Sequence, residues 1–260
     1  MGVRFSLGSP RIASTISNKI MLNNYNKIAD IYKESNTKPD KLYSILPTVL
    51  DIMKNRCISP KVITDLGCGD GFFTFPLSRM YKDAKVIGMD NSEAQIEKAQ
   101  QNKKKLHLEQ TTFVKSDIFK DSIRLSDIIA APFVFGYCTE DELKTFLIKL
   151  KNSLCPGGVL VIVLDDPKGI DNRKYGAKKT VVDDSLEIEL YDNSQKYITT
   201  LHAIYHYPKS FVAILEEVGF INITVHNPII SDEGLQKYGQ EWWGDYVKHS
   251  ELYYISCNID

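Results

Sequence analysis

From residue 61 onward the chain alternates short apolar runs with segments whose apolar positions recur every three or four residues. The runs at 62–66, 85–89, 112–115, 127–131 and 159–164 have the length of buried strands. The periodic segments at about 72–81, 92–104 and 140–154 read as amphipathic helices between them. Ahead of this run, Ile28, Ile31 and Tyr32 stand at helical spacing within 24–33. Leu42, Ile45, Leu46, Val49, Leu50 and Met53 do so within 40–54. Both segments are expected to be helices that pack on something larger.

The pattern changes between 165 and 207, where polar residues dominate and two β-like runs, 185–191 and 196–207, flank Asp192, Asn193 and Ser194. This predicts an inserted hairpin. Pro208 suits the first turn of a helix that continues to Val218 and ends at Gly219, and 221–225 and 252–255 read as two late strands. Strands alternating with helices require crossover connections. The expected fold is therefore α/β: a Rossmann-like, doubly wound, mainly parallel seven-stranded sheet with an inserted β-hairpin and N-terminal cap helices.

A length of 260 residues allows one such domain with an insertion and is short for two, so 21–260 is read as a single domain with its insertion at about 165–207. With 32 basic and 33 acidic residues the net charge is -1, which supplies no global field for nucleic acid or anionic lipid. A small-molecule partner is expected instead. Lys103, Lys104 and Lys105 read as the solvated end of a helix. The five cysteines are spread along the chain without C-x-x-C spacing, which points to reduced thiols in the cytoplasm and to no metal site. No apolar stretch approaches the roughly 18 residues of a membrane span. Residues 1–20 carry Arg4, Arg11 and Lys19 and no acid, and are read as a disordered leader. An organelle transit peptide and an N-myristoylation signal at Gly2 and Ser6 are the alternatives. The sequence does not define an oligomeric state.

The most informative segment is Val62 to Gly71, VITDLGCGDG, a buried strand running into a glycine-rich turn and then a helix. Gly67, Gly69 and Gly71 stand where a backbone must turn sharply and let a ligand approach. A dinucleotide loop would need a third glycine at position 72, which is Phe72, and no Lys-Ser/Thr pair follows to make a P-loop. Asp65 sets a carboxylate near the strand end, where it suits an ammonium better than a pyrophosphate. Asp90 ends the next strand, about 20 residues beyond the glycines, where it can accept hydrogen bonds from two ribose hydroxyls. Asp117, just after the third strand, is placed to accept from an adenine amino group. Each acid alone could be a helix N-cap; their joint placement after three successive strands argues for a site.

With these residues the chain resembles the class I S-adenosylmethionine-dependent methyltransferases of small-molecule type, over nearly its whole length from Tyr25 to Cys257. The resemblance implies that Asp65 to Gly71, including Cys68, is the motif cradling the methionine part of S-adenosyl-L-methionine, with S-adenosyl-L-homocysteine as product. It implies that Asp90 with Asn91 holds the ribose and that Asp117 with Ile118 holds the adenine. Ala131, Pro132 and Phe133 match the stretch bordering the methyl group, and 154–160 is similar to the L-x-P-G-G turn before the fifth strand. Tyr25 and Tyr32 match the helix that many members lay over the cofactor. The segment from Ser231 to Tyr246 is similar to the ending of toxoflavin-synthase-like members, which methylate heterocyclic nitrogen; its bland reading is that Trp242, Trp243 and Tyr246 close the core.

Methyl transfer needs alignment and dryness more than it needs a catalyst group, and a base only where the acceptor loses a proton. The candidates are His206, His202 and Tyr205; in a continuous strand His202 and His206 would share one face and Tyr205 the other. Tyr137 and Phe135 read as pocket walls. The expected function is methylation of a small heterocyclic or aromatic metabolite at N or O. The competing readings are an inactive binding subunit of the same fold and a nicotinamide-dependent oxidoreductase.

Overall fold

In the computed structural model the described residues are 36–57, 59–183 and 185–260. The expected leader and the helix over 24–33, with Tyr25 and Tyr32, lie outside them.

The first described element begins with a wide π-helical turn, Lys41–Ile45, and continues as α1, Leu46–Arg56. Then come β1 (Val62–Leu66), α2 (Thr74–Met80), β2 (Lys85–Asp90), α3 (Glu93–Leu106), β3 (Thr111–Lys115) and β4 (Ser126–Pro132). These are followed by α4 (Glu140–Asn152) and β5 (Leu154–Asp165). Side chains set several boundaries. Ser92 accepts the Gln95 N–H ahead of α3, and Thr139 and Glu142 form a reciprocal capping box ahead of α4.

After β5 the insertion contributes β6 (Ala177–Val182), β7 (Ser185–Tyr191) and β8 (Tyr197–Ile204). The chain returns through α5 (Pro208–Val218), β9 (Ile221–His226), α6 (Asp232–Tyr238), α7 (Gln240–Lys248) and β10 (Leu252–Asn258). Gly219 ends α5 with φ of 87°, a conformation that costs glycine nothing.

The main sheet has the order β3-β2-β1-β4-β5-β10-β9, with β10 antiparallel to both neighbours. Alternate residues of its strands feed two cores. Leu66, Ile129, Leu160 and Ile162 meet Phe146 and Leu150 of α4 and Phe211 and Leu215 of α5. On the other face Ile63, Ile128, Val161 and Tyr254 meet Val49, Ile52 and Met53 of α1.

The insertion differs from the expected hairpin: it is a three-stranded antiparallel sheet, and its last strand stops at Ile204 instead of 207. The additional strand, β6, reads AKKTVV, and its alternate exposure and partial burial mark a two-faced strand that lysines conceal. The five cysteines are all unpaired. Among the described residues no helix is long and apolar enough to cross a membrane.

Candidate functional site

The glycine loop leaves the carboxyl end of β1 at the centre of the sheet, where open α/β folds bind ligands. Gly67, Gly69 and Gly71 have φ of 65°, 54° and 98°, all in the left-handed region. The Cys68 N–H donates to Met89 O at 3.0 Å, tying the loop to β2. The Cys68 side chain turns into the core beside Phe75 and Phe113, and burial pushes its thiol well above the usual range. The backbone of Cys68 therefore belongs to the loop and its sulfur to the packing.

Asp65 is fully buried. Thr74 Oγ1 donates to its Oδ2 at 2.6 Å, and its Oδ1 has no hydrogen-bond partner among the described residues. Burial, aided by the nearby Asp90 charge, raises this carboxyl to about 7. Asp90 Oδ2 accepts the Gly69 N–H at 2.9 Å and Oδ1 accepts the Ser92 N–H at 2.8 Å, so one carboxylate holds the loop and the start of α3 together. Its pKa is raised by burial. Asn91 is exposed beside it.

Asp117 is set further out. It accepts the Phe119 N–H at 3.1 Å and pairs with Lys120 at 2.8 Å, which holds its carboxyl below the usual range; Ile118 beside it is buried. Ala131 is buried in β4, and Phe133 follows that strand with φ of 62°, unusual for a side-chain-bearing residue, while its N–H donates to Val163 O at 3.0 Å.

A cleft of about 830 Å³, counting its open mouth, opens beside the turn that follows β4. Its floor comes from Phe133, Gly136, Tyr137 and the end of β5, its roof from one face of the inserted sheet, and its side from Asp40, Lys41 and Ile45. Tyr137 is thus a wall, as expected, whereas Phe135 is wholly buried in the core and offers its carbonyl to His206.

The three catalytic candidates separate. His206 borders the cleft, with Nε2 3.0 Å from Phe135 O and 3.1 Å from Cys138 O. Two carbonyls can only accept, so Nε2 carries the proton and the neutral ring has its lone pair on Nδ1. Burial lowers the His206 pKa. His202 stands opposite Glu187 in the strand register, 3.7 Å from its carboxylate, between Leu201 and Ala203, which line the cleft. It therefore points to the other face, and the expected sharing of a face by His202 and His206 fails because β8 ends before His206. The Tyr205 hydroxyl donates to Asp166 Oδ1 at 3.0 Å, and burial with that carboxylate raises its pKa.

Charged residues that sequence reasoning missed also border the cleft. Lys179 of β6 pairs with Asp165 of β5 at 2.8 Å, both nearly buried, and it donates to Glu251 O at 3.3 Å. Asp40, whose Oδ1 accepts the Lys41 N–H at 2.7 Å, is raised by burial to about 6. The inward alternation of Ala177, Lys179 and Val181 was the available signal.

The aromatic segment near the C-terminus packs as a cluster in which Trp243 stacks on Tyr175 at 5.9 Å and its Nε1 donates to Gly234 O at 3.0 Å. Tyr43 and Tyr246 complete it. The cluster joins the N-terminal side of the cleft to the root of the inserted sheet and lies outside the cleft lining.

The sheet order, with β10 reversed and a glycine loop after β1, defines the class I S-adenosylmethionine-dependent methyltransferase fold. A family model described as a methyltransferase domain matches residues 59–219, and the chain belongs to that family. The trans-aconitate 2-methyltransferase of Yersinia pseudotuberculosis serotype O:1b (strain IP 31758) is 26% identical over 178 residues, covering 68% of this chain and 66% of that protein. The chain thus spans just under two thirds of that relative's length. The carboxy-S-adenosyl-L-methionine synthase of Actinobacillus succinogenes is 26% identical over 139 residues, 52% of this chain and 58% of that protein. Among solved structures, an S-adenosylmethionine-dependent methyltransferase from Clostridium acetobutylicum ATCC 824 superposes with a TM-score of 0.61 at 18% identity, covering 91% of this chain and 99% of its own. The CcbJ methyltransferase from Streptomyces caelestis gives 0.62 at 16% identity, covering 89% and 96%. These likenesses concern the fold.

Proposed function

We propose that the protein transfers a methyl group from S-adenosylmethionine to a small-molecule acceptor bound in the cleft beneath the inserted sheet. One observation carries this reading: the turn after β4 serves both sites. Val134 abuts Gly67 of the glycine loop, and Phe133, Gly136 and Tyr137 from the same turn line the cleft. A donor on the loop and an acceptor in the cleft would share that border.

The residues fit such a donor. A Cβ on Gly69 would meet no atom within 4 Å, so the loop presents open space there. The unpartnered Asp65 Oδ1 is suited to the ammonium end, directly or through water, and the Asp90 carboxylate has acceptor capacity beyond its two backbone bonds for ribose hydroxyls. Asp117 and Ile118 would border the adenine. Bound there, S-adenosylmethionine supplies an electrophilic methyl on a sulfonium, so the chain's own task is to bind, align and exclude water.

Where the acceptor must lose a proton, His206 is the group that takes it. It is neutral at physiological pH, its Nε2–H is fixed by two carbonyls, and its Nδ1 lone pair is the one available for a proton. Tyr205 is held protonated against Asp166 and His202 faces elsewhere, so both are assigned to support of the insertion. N- or O-methylation of a heterocyclic or aromatic metabolite is the acceptor chemistry proposed, in line with the similarity of the C-terminal segment to toxoflavin-synthase-like members. The family match supports methyl transfer over nicotinamide-dependent chemistry and leaves the acceptor class as the proposal.

Calorimetry should find binding of S-adenosylhomocysteine and none of NADH. His206→Ala should lower kcat on the order of 10²–10⁴-fold while cofactor affinity holds, and the acid limb of wild-type turnover should have its midpoint below the ordinary histidine value of 6.5. An unchanged kcat removes His206 from the mechanism. Failure to bind the cofactor product removes the reading.

A further inference from the structure

We propose that the cleft selects an uncharged, predominantly apolar acceptor and excludes polycarboxylates and phosphorylated compounds. The inference rests on the assignment of the cleft as the acceptor site.

The roof is built by alternation. In register, Leu186 stands opposite Ala203 and Ile188 opposite Leu201, and these residues form the cleft face while Glu187 and His202 take the other. Ile45, Val163 and Leu252 continue the apolar surface below. A cleft lined in this way holds a ligand chiefly by burying apolar area, with a few polar groups setting its orientation.

The lysines at its edge already hold hydrogen-bond partners within the chain. Lys179 is paired with Asp165 and donates to Glu251 O. Lys41 Nζ donates to Asn36 Oδ1 at 3.2 Å, and Lys38, next to Asp40, donates to Asn193 Oδ1 at 3.2 Å. Asp40 adds negative charge to the same edge, and among the described residues no arginine lines the cleft. A polycarboxylate entering here would give up its hydration, face the Asp40 carboxylate and find no guanidinium fork among the described residues to receive it. His206 adds no positive charge, because its ring is neutral where it stands. An uncharged acceptor loses little hydration and gains the apolar roof.

The test uses the full chain saturated with S-adenosylhomocysteine and the uncharged fluorophore N-phenyl-1-naphthylamine. The fluorophore should bind with enhanced emission, and trans-aconitate or phosphoethanolamine at millimolar concentration should not displace it. Ile188→Arg places a free guanidinium on the half-buried roof; it should weaken fluorophore binding at least tenfold and allow trans-aconitate to compete, with S-adenosylhomocysteine affinity unchanged. Leu201→Gln, a milder change, should weaken the fluorophore several-fold and guards against misfolding of the first variant. Displacement by either anion in the wild type, no fluorophore binding, or indifference to both substitutions overturns the proposal. Because cofactor-product binding is read separately, these outcomes leave the methyltransferase reading standing, whereas loss of that binding in the wild type would strike the reading itself.

Discussion

Gly67 faces Val134: a Cβ built on Gly67 would lie 2.7 Å from Val134 Cγ1. Gly69, two residues on, also has a positive φ but would meet nothing within 4 Å. The first glycine lets two turns of the protein pack and the second leaves room beside the loop. Gly67→Val should therefore lower stability as well as cofactor affinity. Gly69→Ala should cost only the backbone strain of roughly 1–2 kcal/mol yet weaken S-adenosylhomocysteine binding by tenfold or more. Thermal melts paired with calorimetry separate the two. Full affinity in Gly69→Ala would mean that the ligand does not approach the loop.

Asp90 holds the Gly69 and Ser92 N–H groups at 2.9 and 2.8 Å. Asp90→Ala should weaken cofactor-product binding by about 2–4 kcal/mol, because charge-assisted ribose bonds disappear and the loop loses its tether. Asp90→Asn can keep one acceptor oxygen and should lose less. Titration of adenosine-containing ligands against both variants checks this, and equal affinity across all three proteins would dissociate Asp90 from the ribose.

Asp65 couples stability to pH. A carboxyl raised from 3.8 unfolded to about 7 folded contributes its full stability below the unfolded value and loses it as pH rises through the folded value. The loss is on the order of 4 kcal/mol between about pH 4 and pH 7. Asp65→Asn has no charge to bury and can keep the Thr74 bond. Its melting temperature, measured without ligand, should gain on the wild type as pH rises from 4 to 8. A pH-independent difference would show that Asp65 ionises freely.

Trp243 is fully buried within the aromatic cluster. Trp243→Ala should destabilise by about 3–5 kcal/mol, read as a lower urea midpoint, because it opens a large cavity and leaves Gly234 O without its donor. At temperatures where the variant is folded, acceptor KM should change little. A selective KM effect would instead draw the C-terminal segment into acceptor recognition.

Local pattern was enough for the frame of the molecule. The chiefly apolar runs at 62–66 and 85–89 became β1 and β2 with nearly the same bounds, because a strand buried on both faces is mostly apolar, whatever it packs against. The glycine loop and the acids Asp65, Asp90 and Asp117 were legible for a related reason: each sits at a strand end, and strand ends are marked in the sequence. The placement of His202, Tyr205 and His206 was not, since it turns on where β8 stops, and that is set by its pairing with β7, which ends at Ser185 opposite Ile204. Strand β6 was hidden because Lys178 and Lys179, one on each face, break the apolar signal while only its inward face is covered. The group of Asp40, Asp165 and Lys179 draws on three distant segments, so no window of sequence contains it. Hydrophobic periodicity acts over a few residues and fixes elements. The chemistry of the cleft depends on which elements meet, and only the packing of the inserted sheet over the main sheet decides that.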